Sequence, residues 1–149
     1  MRARFVNEHM NFEKKKDPLS SLSVGKIHLI TIWLDDMNIK NYELNDDLSI
    51  DVYDVVNLSF KKLIKIPTYI KFNIVTRSFY CDHNQLTSLD GCPKFIDRDF
   101  WCNDNQLINL NGSPSEVTGA FHCYNNVRQF TEDVVLQYCK CNRDLISIF

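Results

Sequence analysis

Three residue types recur together at a fixed interval, and this period limits the folds open to the chain more than any other feature. Phe79, Phe100 and Phe121 are 21 residues apart, as are Cys81, Cys102 and Cys123, and Asn84, Asn105 and Asn126. Between them Leu86 matches Leu107, Leu89 matches Leu110, Gly91 matches Gly112, Pro93 matches Pro114, and Ile96 matches Val117. The full unit reads F-x-C-x-x-N-x-L-x-x-L-x-G-x-P. A degenerate copy lies 23 residues upstream, with Val56, Leu58 and Leu63 in the places of Phe79, Cys81 and Leu86. A period of this length means stacked units, because one unit cannot bury its own apolar side chains whereas neighbours in register can.

The unit predicts a short strand in which Phe79 and Cys81 share one face and Tyr80 takes the other. On this reading the cysteines are small core hydrophobes. The asparagines form a buried ladder serving backbone groups of the turn. The array ends after Asn126, where Arg128 occupies the register of Leu86 and Leu107. Thr131-Glu132-Asp133 then signals a helix start, with a capping hydroxyl followed by acids. That helix is expected to cover the open edge of the last unit, with an apolar tail ending at Phe149 that packs or adds a strand. At the other end, Leu22, Ile27, Ile30, Trp33, Leu34 and Met37 have helical spacing and predict an amphipathic capping helix over 20–37.

The expected fold is thus an α+β repeat: a short solenoid with a small parallel sheet, capped by an N-terminal and a C-terminal helix. The expected divisions are an arm over 1–19, a helical cap and lead-in over 20–47, the solenoid over 48–130, and a helical cap and tail over 131–149. The 149 residues suit one domain. A net charge of −2 argues against direct nucleic-acid binding through phosphate contacts. Apolar runs such as 27–34 fall short of the roughly 20 residues a membrane helix needs. With no secretory leader legible, the expectation is a cytoplasmic protein without membrane contact.

The unit resembles the leucine-rich repeat, whose consensus L-x-x-L-x-L-x-x-N/C-x-L spans about 20–29 residues. It is closest to the short bacterial variety, with Phe and Cys standing for Leu. The lead-in Asn41-Tyr42-Glu43-Leu44-Asn45-Asp46-Asp47-Leu48-Ser49-Ile50-Asp51-Val52 precedes Val56-Asn57-Leu58 and Leu63-Ile64-Lys65-Ile66-Pro67. This arrangement, followed by F-x-C-x-x-N-x-L-T-S-L repeats, is similar to a family of tailed-bacteriophage proteins. The resemblance covers residues 38–134 and implies the repeat fold and a viral origin, hence the host cytoplasm. It brings no activity with it.

No catalytic residue, metal ligand or cofactor is expected. Glycines form neither G-x-G-x-x-G nor a P-loop, the nearest stretch being Ser23-Val24-Gly25-Lys26. Six cysteines include no Cys-x-x-Cys pair, and Cys139-Lys140-Cys141 is spaced too closely for an ordinary zinc knuckle. His122 adjoins Cys123, but strand neighbours face opposite ways.

The outward strand face is the expected partner-binding surface. Tyr80, Trp101 and His122 form one column, and Asp82, Asn103 and Tyr124 the next outward position. The alternative is that the stacked rings only brace neighbouring strands. A second candidate is acidic: seven acids and one lysine lie between Asp35 and Asp54, with Asp46, Asp47, Asp51 and Asp54 as the patch. The expected function is a non-enzymatic protein-binding module that inhibits or redirects a host protein, with an antiviral defence component as the specific candidate. The alternatives left open are an acidic nucleic-acid mimic blocking a DNA-binding host protein, a divergent enzyme whose site residues the sequence does not group, and a virion or self-associating structural protein, which leaves room for a homo-oligomer.

Overall fold

The computed structural model describes residues 3–4 and 18–149, with side chains from residue 22 onward. Apart from Ala3–Arg4 and the start of the first helix, the arm expected over 1–19 lies outside the described residues. The elements in chain order are β1 (Ala3–Arg4), α1 (Pro18–Asp36), β2 (Tyr42–Leu44), β3 (Ile50–Val52), β4 (Val56–Asn57) and β5 (Phe72–Val75). They continue as β6 (Phe79–Tyr80), β7 (Phe95–Ile96), β8 (Phe100–Trp101), β9 (Glu116–Val117), β10 (Phe121–His122), α2 (Glu132–Tyr138) and β11 (Ile146–Ser147). Among the described residues no helix is long and apolar enough to cross a membrane.

The period is realised as register. Val56 pairs with Phe79, Phe79 with Phe100, Phe100 with Phe121, and Phe121 with Ile146, all in parallel. These strands form a sheet in the order β11-β10-β8-β6-β4. One small parallel sheet was expected, but there are two. The second, β1-β2-β3-β5-β7-β9, is parallel from β3 onward, with Val75 on Ile96 and Ile96 on Val117. Each repeat therefore gives one strand to each sheet. Ile96 and Val117, which the sequence showed only as matching apolar positions, are the inward residues of that second strand.

The core lies between the sheets. Phe79, Phe100, Phe121, Leu86, Leu89, Leu107, Leu110 and Ile96 have no exposed surface. Each such side chain contributes roughly 1.5–3 kcal/mol on burial. The Phe rings make a continuous series, with centroids 5.3 Å apart for Phe72–Phe79, 6.1 Å for Phe79–Phe100 and 5.0 Å for Phe100–Phe121. The repeated glycine is a steric necessity. Gly112 sits at φ 83°, and a Cβ there would lie 2.5 Å from the Leu89 carbonyl carbon and the Asp90 nitrogen in the preceding unit.

α1 covers one end of this core through Ile30, Trp33 and Leu34, and Trp33 meets Phe72 at 6.3 Å. Leu22 was expected on that inward face but is exposed, together with Leu29 and Ile32. The helix is apolar on two flanks, so spacing alone could not say which one faces inward. At the far end α2 starts as anticipated, with Thr131 Oγ1 accepting from the Val134 N–H at 3.3 Å. The strand edges, however, are closed by the segment beyond α2 and not by the helix. β11 pairs with β10, the Lys140 N–H donates to Ser115 O, and Lys140 O accepts from the Val117 N–H. Arg143 ties this return to the first turn of α2, reaching Glu132 at 3.0 Å and Asp133 at 2.6 Å.

Candidate functional site

On the outer face of the β4–β11 sheet, strand alternation brings Tyr80, Trp101 and His122 into line, each half-buried. Trp101 stacks on His122 at 3.8 Å and lies 5.8 Å from Tyr80, while Tyr124 meets His122 edge-on at 6.4 Å. Trp101 is thus flanked by a ring on each side along the stack. Burial holds the His122 imidazole below its ordinary range, against the opposing pull of Asp99 and Asp82. The Tyr124 phenol is pushed up by burial and by the Asp104 and Asp82 carboxylates.

The second expected column is not on the surface. Asp82 is 7% exposed and Asn103 is fully buried; only Tyr124 of this group remains accessible. The chain leaves the strand after Cys81 and Cys102, so outward alternation stops there. Asp82 instead accepts from Ser59 Oγ at 2.6 Å and pairs with His83 Nδ1 at 2.7 Å. Asn103 donates to Asp104 at 2.6 Å, and its Oδ1, like Trp101 Nε1, is buried with no hydrogen-bond partner among the described residues.

Beside the rings runs a second column that sequence reasoning missed: Phe60, His83, Asp104 and Asn125. All four have left-handed backbone, with φ of 58°, 52°, 52° and 50°. Phe60 stacks on His83 at 4.2 Å, His83 Nε2 lies 3.6 Å from Asp104 Oδ2, and Asn125 donates to Asp104 Oδ1 at 3.0 Å. The signal was present, because the four positions share the repeat register. His, Asp and Asn tolerate this conformation and Phe does not.

The asparagine ladder is in place beneath both columns. Asn84 Oδ1 accepts from the Lys61 and Leu63 N–H groups at 3.0 Å, while its Nδ2 donates to Leu58 O at 2.8 Å. Asn105 and Asn126 repeat the pattern on Leu86 and Leu107. The cysteine column is internal as expected. Burial pushes the Cys81 and Cys102 thiols well up and that of Cys123 to about 12, so they stay protonated and chemically quiet.

The acidic patch is only partly a patch. Asp46, Asp47 and Asp54 are exposed, but Asp51 is 1% exposed and accepts from Asn73 Nδ2 at 2.7 Å. It lies mid-strand in β3, where the sheet's outer side is itself covered. Hydrogen bonds from Ser49 hold Asp47 below the usual carboxylate range. An open hollow of about 260 Å³, with Asp47 in its lining, lies between α1 and the loop carrying Tyr69. Among the described residues no group of three His, Cys, Asp or Glu side chains is arranged to hold a metal. No family model, no curated protein and no solved structure matches the chain.

Proposed function

We propose that the chain is a leucine-rich-repeat-like solenoid of viral origin and a non-enzymatic module that binds a host protein and inhibits or redirects it. The supporting observation is the column Tyr80–Trp101–His122, with Tyr124 beside it. Half-exposed rings, fixed in line by stacking on successive units, are preorganised anchors that lose little freedom on binding. On the phage resemblance, the host protein is an antiviral defence component. One feature favours a binding module over an enzyme: burial holds the Cys81, Cys102 and Cys123 thiols protonated. The acidic-mimic alternative is less well served, because Asp51 is inside and Asp47 is engaged by Ser49.

The test is affinity capture from host extract with Tyr80→Ala and Trp101→Ala variants whose circular dichroism matches the parent. Loss of Trp101 is expected to weaken capture by roughly 2 kcal/mol, about thirtyfold. Undiminished capture by a folded double variant removes the ring column from the binding surface.

A further inference from the structure

We propose that the open edge of the β4–β11 sheet, at Asn57, receives an extended segment of a partner polypeptide, which runs parallel to β4 and sets a planar side chain on Phe60. This edge adjoins the ring column, since Asn57 pairs with Tyr80, but the proposal rests on the vacant strand edge and on Phe60 and not on those rings.

The hydrogen-bond pattern identifies the groups that have no partner among the described residues. Along β4 the Val56, Leu58 and Phe60 N–H groups donate to Ser78, Tyr80 and Asp82 carbonyls at 3.1, 2.7 and 3.3 Å. In a parallel ladder the intervening residue points its N–H and C=O the opposite way. For Asn57 that direction leads out of the sheet, whose order ends at β4. The other sheet continues past the same end through β3, β2 and β1. Asn57 itself is exposed, and so are its apolar neighbours Val55 and Phe60.

Phe60 supplies a second, independent observation. A bulky aromatic at φ 58° is in a conformation such residues avoid, and strain of this kind accompanies binding positions. One face of its ring lies on His83, yet the residue remains 70% exposed. In the later units the same position holds His83, Asp104 and Asn125. Among the described residues the strained ring therefore stands only at the end of the column beyond which no further strand pairs.

The occupant is a single strand and not another stacked unit. Docking a whole unit uses the asparagine of the unit that follows it, as Asn84 does for Lys61 and Leu63. Lys61 holds that register at the open end and has no side-chain oxygen to offer. An added strand asks only for the Asn57 N–H and C=O, with Phe60 as a stacking platform for an aromatic, imidazole or guanidinium group.

The probe is a synthetic peptide copying residues 78–84 with Cys81→Ser, added to the isotope-labelled full chain. It carries the strand and the imidazole that already match β4 and Phe60 from the other side. In the free protein the Asn57 amide is expected to exchange rapidly while Val56 and Leu58 are protected. Peptide should shift the Asn57 resonance saturably and slow its exchange about tenfold. Asn57→Pro removes the outward N–H without touching the ladder and should abolish the response. Phe60→Asn, which keeps the left-handed turn, should weaken peptide binding roughly two- to tenfold, the worth of one aromatic pair. A protected Asn57 amide in the free chain, or an unmoved Asn57 resonance at saturating peptide, overturns the proposal whether or not Asn57→Pro folds. Self-association that light scattering detects and Asn57→Pro abolishes also overturns it, by making a second copy the occupant.

Discussion

Asn105 illustrates how much a single side chain carries. Its Oδ1 accepts from the Leu86 N–H at 3.0 Å, and its Nδ2 donates to Cys81 O at 2.9 Å and Cys102 O at 3.2 Å. Asn105→Ala leaves the buried Leu86 N–H unpaired and takes one of two amide donors from each carbonyl, which Asn84 and Asn126 still serve, an expected cost of about 1–3 kcal/mol by chemical denaturation. Asn105→Asp should be worse despite its matching shape, because a carboxylate has no N–H for carbonyls and would face them with charge. Equal stability of Asn105→Asp and the parent would rule out the donating role. His122 governs a pH effect. Its folded-state pKa lies below the ordinary 6.5, so as pH falls beneath that value the unfolded chain takes up a proton that the folded one resists. Its contribution to stability is complete above about 6.5 and is lost as pH falls toward the folded-state value. Melting temperatures at pH 7.5 and 5.0 should accordingly fall less for His122→Phe, which keeps a ring in the column, than for the parent.

At the scale of elements, most strands are only two or three residues long, far too short to be read from local pattern. β6, β8 and β10 were legible because Phe, Cys and Asn mark the period in unmistakable types. β7 and β9 were not, because Phe95-Ile96 and Glu116-Val117 share one apolar position and no alternation. The ring column was legible from strand geometry, but its neighbour was misplaced: Asp82 and Asn103 were assigned as though the strand ran on, when the backbone turns at His83 and Asp104. The C-terminal closure was mostly legible, since Thr131 announces α2 and the apolar tail allows the added strand that Ile146–Ser147 forms, but nothing announces that Lys140 closes the other edge. Deleting residues 131–149 therefore removes both edge closures at once. The truncated chain is expected to lose cooperative thermal unfolding and to aggregate on size-exclusion chromatography; a monomer melting like the parent would show that the closures are dispensable.

Across the whole molecule, contacts run from each unit to the next, and the rings from Trp33 through Phe72, Phe79 and Phe100 to Phe121 join the helical end to the last repeat. Stability in such an arrangement is a sum of local terms and neighbour terms, so damage at one interface is felt on both sides of it. The asparagines give the arrangement a direction. Lys61 and Leu63 wait for Asn84, Leu86 for Asn105, and Leu107 for Asn126. During synthesis, then, no turn can be completed when its own residues leave the ribosome. Each stays provisional until another twenty or so residues have been translated, and the growing chain always carries one unfinished loop at its trailing end.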